Sequence, residues 1–179
     1  MRTEFRLSGS GGQGLLLAGI VLAEAAILED KNAVQTQSYG PEARGGASKA
    51  EVVISDQDID YPKAMDPDFL LALTQEAYRT YGRQMKKGLI IVDDSVTLSD
   101  EITARTLRVP ILKTAATDLG KKVVANIVAL GVLGCVSGIV NQENLETAVK
   151  NRVPKGTEEL NVSALRKGFE IAKGKSPRA

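Results

Sequence analysis

The 179-residue sequence contains no histidine, no tryptophan and a single cysteine, Cys135. Without histidine, a Ser-His-Asp triad, a Cys-His pair and a His-based zinc site are all impossible within the chain, and the commonest general acid–base group is missing. One thiol cannot hold an iron–sulfur cluster, which takes four thiolates, and it cannot close an internal disulfide. Cys135 lies in the apolar run Val132–Val136 and is expected as a small buried hydrophobe. Aromatic residues, three Phe and four Tyr, make up only 4% of the chain, which leaves little to stack on bases; no nucleic-acid partner is expected. No apolar run reaches the about 20 residues of a membrane span. The charged start Met1–Leu7 is followed by glycines and not by a signal-peptide core. These absences point to a soluble cytoplasmic protein.

What is present fits one globular domain over residues 1–179, with a frayed tail at 174–179: hydrophobic residues are 43% and charged residues 25%. The net charge of +1 is unevenly spread, and residues 150–179 hold eight Lys/Arg against three acids. That basic end suits either an acidic partner or a solvated helix face, with cations favoured near a helix C-terminus; the second reading is preferred.

Short apolar runs alternate with helical patterns. Thr3–Leu7, Ala33–Gln37, Ala47–Ser55, Phe69–Leu73, Leu89–Asp93 and Val109–Lys113 read as strands. Gly12–Glu29 is apolar around much of its surface and reads as a well-buried helix. Thr74 caps a helix over 74–81, Thr114–Gly120 makes at least one helical turn, and Val123–Val136 is a second apolar helix. Asn141–Lys150 and Asn161–Lys173 are amphipathic helices, each opened by an Asn as N-cap. The pattern predicts an α/β domain with a mainly parallel sheet flanked by helices and a Rossmann-like first β-turn-α unit.

Gly9-Ser10-Gly11-Gly12-Gln13-Gly14 follows the first strand and opens the first helix, satisfying G-x-G-x-x-G at Gly9, Gly11 and Gly14. Glycine permits the sharp turn and a close approach of backbone or ligand, and the helix N-terminus offers free N–H groups to an anion. A dinucleotide site also needs an acid at the end of the second strand. That strand ends in Thr36-Gln37-Ser38, so a stand-alone nucleotide-binding role is the weaker alternative. Anion binding, docking of a partner backbone, and plain helix–strand packing all remain open for the turn.

The loop Ser38-Tyr39-Gly40-Pro41-Glu42-Ala43-Arg44-Gly45-Gly46 packs three glycines, a proline, an aromatic and an arginine into nine residues. In a parallel sheet it lies beside the glycine turn, at the carboxyl ends of neighbouring strands. Arg44 can hold a phosphate or carboxylate bidentately, with Gly45 and Gly46 offering N–H groups or room for a partner subunit. The competing reading pairs Arg44 with Glu42 or Asp93. Asp93-Asp94-Ser95 reads as a turn in preference to a magnesium site, and Lys121-Lys122 as solvated. Asn126, inside an apolar helix, must bond across the core or face an interface. Gly131, Gly134 and Gly138 line a groove that another helix could enter.

Gly11-Gly12-Gln13-Gly14 with its Ala/Leu-rich helix, followed by Ser38–Gly46 and the strand Ser48–Ser55, resembles the gamma subunit of 2-oxoacid:ferredoxin oxidoreductases, from Glu4 to about Gly174. The wording of Ser38–Gly46 is most similar to the 2-oxoglutarate branch. The resemblance implies a holoenzyme that oxidatively decarboxylates a 2-oxoacid to acyl-CoA and CO2 and reduces ferredoxin. It places thiamine diphosphate, Mg and iron–sulfur clusters on partner subunits, namely alpha and beta subunits and a ferredoxin-like subunit. Nothing in the chain matches a thiamine diphosphate signature or a cluster-ligand spacing, so no cofactor is expected on this chain alone and no activity in isolation. By the same resemblance, Gly9, Gly11, Gly12, Gln13 and Gly14 with Ser38, Tyr39, Gly40, Pro41, Arg44, Gly45 and Gly46 face the catalytic partner or the path of coenzyme A. A pure assembly module is the other alternative, and a homodimer of the isolated chain is compatible with the sequence.

Overall fold

The computed structural model describes residues 1–38 and 47–175. Among these, six strands form one sheet: β1 (Arg2–Gly9), β2 (Asn32–Ser38), β3 (Ser48–Ser55), β4 (Phe69–Ala72), β5 (Leu89–Asp93) and β6 (Arg105–Val109), in the order β2-β3-β1-β4-β5-β6. β1, β4, β5 and β6 pair in parallel, while β3 runs antiparallel to both β1 and β2. The sheet is therefore mainly parallel, as expected, but β1 and β2 are not neighbours. β3 lies between them, a correction to the sequence reading.

Helices α1 (Leu15–Ile27), α4 (Ala125–Ser137), α5 (Gln142–Arg152) and α6 (Glu158–Ala172) share one core with Phe5, Leu7, Val52, Ile54, Leu71 and Ile91 of the sheet. α2 (Gln75–Gly82) and the segment after β5 build a smaller core on the other face, around Leu70, Ile90, Val92, Tyr78 and Tyr81. β5 is apolar on both faces because both are covered. The helix over residues 12–29 begins at Leu15, since the glycine turn occupies the first positions.

Where α4 crosses α6, a Cβ on Gly131 would lie 2.1 Å from the Leu165 carbonyl oxygen, and one on Gly168 would lie 2.1 Å from that of Val128. The glycine groove is filled from within the chain. Glu24 in α1 accepts from Asn151 and Arg152 of α5. Glu29 accepts from the Asn141 N–H at 2.6 Å and from Lys31 at 2.8 Å. Burial pushes both carboxyls up, but these donors outweigh it and hold both below the usual carboxylate value. Beneath β1 and β3, Arg6 donates to Glu51 at 2.9 Å and to the Ala64 carbonyl at 3.0 Å, with the Tyr81 ring 5.3 Å away. No local pattern in the sequence marks this buried pair.

Two expected elements shift. The strand placed at Val109–Lys113 is β6, four residues earlier; Arg105 and Arg108 face solvent while Thr106, Leu107 and Val109 are buried, and Pro110 ends the ladder. Residues Ile111–Lys113 form the short helix α3, continued as a π turn over Thr114–Asp118. Asn161 is not an N-cap: α6 starts at Glu158 after Thr157, and the Asn161 amide donates back to the Thr157 carbonyl at 2.9 Å. The other two caps form as expected, Thr74 accepting from Ala77 N–H at 3.2 Å and Asn141 from Asn144 N–H at 2.8 Å. Of the expected frayed tail, Gly174 and Lys175 close a turn onto Ala172, and residues 176–179 lie outside the described residues. No helix among the described residues is long and apolar enough to cross a membrane.

Candidate functional site at the carboxyl edge of the sheet

The glycine turn leaves β1 at Gly9 and enters α1 after Gly14. Its shape is held from inside. The Gln13 side chain folds back so that its Oε1 accepts the Ser10 N–H at 2.8 Å, and a Cβ on Gly9 would sit 2.2 Å from that oxygen. Gly14 adopts a left-handed φ of 71°, and the Asn126 amide of α4 donates to its carbonyl at 3.0 Å. This bond answers why an amide sits inside an apolar helix: it crosses the core to the turn. Gly12 is also left-handed, at φ 84°. Gly11 differs from the other three. It lies outside the left-handed region and has nothing within 4 Å of its Cβ position, so nothing within the described residues requires a glycine there.

The turn is tied to β3 through paired serines. Ser8 Oγ donates to the Ser48 carbonyl at 2.8 Å, and Ser48 Oγ donates to the Gly9 carbonyl at 3.1 Å. In the same register Ser38, at the exposed end of β2, lies opposite Lys49. Because β3 is antiparallel, both roots of the intervening loop, Ser38 and the buried Ala47, reach the sheet edge that carries the glycine turn. The expected juxtaposition of loop and turn thus holds at the roots, across one intervening strand. Tyr39, Gly40, Pro41, Glu42, Arg44, Gly45 and Gly46 lie outside the described residues.

On the other side of the turn is a cleft of about 560 Å³, lined by Gly12, Gln13, Leu112, Lys113, Lys122 and Val123 among others. Val123 is 80% exposed at its mouth. Two lysines beside an open glycine turn make this rim electropositive, and neither ammonium has an acidic partner among the described ion pairs. Sequence reading missed this group. Lys113 fell inside a supposed strand and Lys122 looked like a solvated surface residue; only the helical turns after Pro110 bring both to Gly12.

Asp93 closes the edge from below. Only 1% exposed, it accepts the N–H groups of Ser95 at 3.0 Å and Leu112 at 2.7 Å, so it braces the β5 and β6 loops together. That supports the expected turn, and among the described residues no three His, Cys, Asp or Glu converge on a metal-sized site. Cys135 is half-buried against the main core and lies away from this edge, in a cleft at the opposite end of the sheet with Arg2 and Arg105. A single thiol does not fit an iron–sulfur cluster, so no electron-transfer step is assigned to this chain.

The arrangement can grip an anion or a partner backbone; among the described residues it shows no acid–base pair with which to make or break bonds. The intervening β3 also removes the acid-bearing neighbour strand of a dinucleotide site.

Comparison with known proteins gives a consistent answer. A 2-oxoglutarate synthase subunit KorC of Methanocaldococcus jannaschii is 51% identical over 178 residues, 97% of this chain and 95% of that protein. The crystal structure of a keto/oxoacid ferredoxin oxidoreductase gamma subunit from Geobacter sulfurreducens superposes with a TM-score of 0.88 at 48% identity, over 96% of this chain and 97% of that one. A 2-oxoglutarate:ferredoxin oxidoreductase from Magnetococcus marinus shares the fold, with a TM-score of 0.86 at 21% identity; 99% of this chain matches 32% of that longer one. The family model described as pyruvate ferredoxin/flavodoxin oxidoreductase matches residues 4–171, and the chain belongs to that family.

Proposed function

We propose that this chain is the gamma subunit of a 2-oxoglutarate:ferredoxin oxidoreductase, which converts a 2-oxoacid, coenzyme A and oxidised ferredoxin into acyl-CoA, CO2 and reduced ferredoxin. The observation that carries the reading is the open glycine turn flanked by Lys113, Lys122 and the roots of the Ser38–Gly46 loop. It occurs in a chain that is similar, nearly end to end, to 2-oxoglutarate synthase subunits. Thiamine diphosphate with Mg and the iron–sulfur clusters, the decarboxylating and electron-carrying groups of such an enzyme, are assigned to alpha, beta and ferredoxin-like partner subunits. The absence of a catalytic acid–base set here suits that division, in which protein around a cofactor supplies binding and electrostatics. Ferredoxin and coenzyme A are cytoplasmic reactants, and the enzyme is placed there.

This chain's own part is to shape the coenzyme A approach. The N–H groups of Gly11 and Gly12, with Lys113 and Lys122, suit the phosphates of the coenzyme. Arg44 suits the same anion in bidentate fashion. The exposed Val123 offers apolar contact beside them.

The test is reconstitution. The complex is assembled from this chain and its partner subunits, with viologen reduction measured against 2-oxoglutarate and coenzyme A. Leaving this chain out should abolish activity. Arg44→Ala should raise KM for coenzyme A about tenfold or more, as expected for a lost charged hydrogen bond, with the complex intact. Full activity without the chain overturns the subunit assignment. An unchanged KM in an intact complex overturns the coenzyme A role of the loop.

A further inference from the structure

Gln13 is the one long side chain of the glycine turn, half-buried among the exposed Ser10, Gly11, Gly12 and Gly14. Its planar carboxamide has two ends of opposite chemistry, an acceptor oxygen and a donor NH2. The end that faces the turn must be the oxygen, because it meets the Ser10 N–H at 2.8 Å. A Cβ on Gly9 would likewise meet Oε1 at 2.2 Å, before the amide carbon at 3.3 Å. Nε2 is therefore the end turned away from the turn. It donates to no described residue, and the side chain lines the cleft that Lys113 and Lys122 also line.

Holding the turn does not by itself call for glutamine. A glutamate at this position would accept the same Ser10 N–H, and more strongly, because the acceptor is charged. A negative charge is also favoured near a helix N-terminus. α2, α5 and α6 follow that preference, with Glu76, Glu143 and Glu158 in their first turns. α1 and α4, which start beside the cleft, carry no acid there, and no acidic side chain is among the described residues lining the cleft. Acid is missing where two helix starts and two lysines would favour it. What a carboxylate cannot supply is a donor to an incoming anion.

We infer that Gln13 is a binding and selectivity residue of this cleft: Oε1 holds the turn while Nε2 donates to a phosphate oxygen of the ligand. The inference rests on the coenzyme A reading and adds to it a side chain whose two ends divide structure from binding. The neutral amide is what lets one residue serve both. A carboxylate would keep the bond to Ser10, repel the phosphate and offset the charge of the lysines.

The test is the reconstituted complex carrying Gln13→Glu or Gln13→Met, beside thermal melts of the full chain alone. Gln13→Glu should raise KM for coenzyme A about tenfold or more, since a like charge replaces a donor. Changes in kcat and in KM for 2-oxoglutarate should be smaller, and the chain should melt no lower than wild type because the Ser10 bond is kept. Gln13→Met preserves the length and loses both ends. It should melt about 1–6 °C lower and raise the coenzyme KM by less than glutamate does, since it removes a donor without adding repulsion. The two variants thus rank oppositely in stability and in KM, which a purely structural glutamine would not produce. An unaltered coenzyme KM in Gln13→Glu, beside a raised one in Lys113→Ala with Lys122→Ala, overturns the inference and leaves the coenzyme reading standing. An unaltered KM in both enzymes overturns the two together. A Gln13→Glu complex that dissociates on gel filtration makes Gln13 a subunit contact and likewise overturns the inference.

Discussion

Two glycines three residues apart in the same turn should respond oppositely to alanine. At Gly14 an added Cβ faces a left-handed backbone, which costs a non-glycine residue about 1–2 kcal/mol. It would also lie 2.5 Å from the Asn126 amide nitrogen. Asn126 is 5% exposed and its amide donates to the Gly14 carbonyl, so pushing it aside strands a buried donor and acceptor at about 1–3 kcal/mol. The reduced entropy of the unfolded chain returns about 0.4–1 kcal/mol. The net loss for Gly14→Ala is about 2–4 kcal/mol, or roughly 4–16 °C in Tm for a domain of this size. At Gly11 the Cβ meets nothing within 4 Å and the backbone lies outside the left-handed region. Gly11→Ala should leave stability within about 0.5 kcal/mol of wild type, yet lower activity or coenzyme A affinity in the assembled enzyme, because no described residue lies within reach of the added Cβ and the proposed coenzyme path does. Thermal and urea melts of the isolated chain, set beside kinetics of the complex, separate the two. A Gly11→Ala chain as unstable as Gly14→Ala, or a stable one with unaltered kinetics, would refute the reasoning.

Other outcomes follow from the same geometry. Gly131→Ala should cost at least about 3 kcal/mol or fail to fold, because its Cβ would lie 2.1 Å from a backbone oxygen of α6 and no side chain can move to relieve it; a melt within a degree of wild type would contradict this. The Glu24, Glu29 and Glu146 carboxyls are all held below their ordinary value of 4.5, the last chiefly by the hydrogen bond from Arg166. Depressed acids contribute stability that is complete above pH 4.5 and lost as pH falls through their lower folded values, so urea midpoints should be flat above about pH 5 and fall below it. Glu146→Gln should flatten part of that acid limb. Lys113→Ala with Lys122→Ala should raise the coenzyme A KM and steepen no other dependence; raised KM for the 2-oxoacid instead would remove these lysines from the coenzyme path.

Features set by a few adjacent residues were legible in the sequence. The cap at Thr74 and the turn at Asp93 needed only local hydrogen bonds, and the apolar run Leu89–Val92 needed only its composition. Misreadings arose where tertiary position overrides local pattern. β6 mixes the exposed Arg105 and Arg108 with buried Thr106, Leu107 and Val109, and in the sequence this resembles a charged linker before an apolar strand. Asn161 looks like a cap, but Thr157 and the preceding turn start the helix a turn earlier. The insertion of β3 between β1 and β2 leaves no local trace, since strand order is decided by which hydrophobic faces meet. Lys113 and Lys122 come to line one cleft only after the chain folds back through the π turn.

The inserted strand also sets this Rossmann-like turn apart from that of a dinucleotide fold. In a dinucleotide fold the ligand lies across the turn and the acid-bearing strand beside it. Here Ser8, Gly9 and Ser48 fasten the turn to an antiparallel neighbour, and Ser38 and Ala47 reach the same end of the sheet. Among the described residues, the surface so formed is open at Gly11 and Gly12 and cationic at Lys113 and Lys122. Such a surface suits the proposed contact with another molecule. The same insertion pushes β2 to the rim of the sheet. One topological change, the antiparallel β3, therefore separates the first β-turn-α unit from the strand that a dinucleotide fold sets beside it.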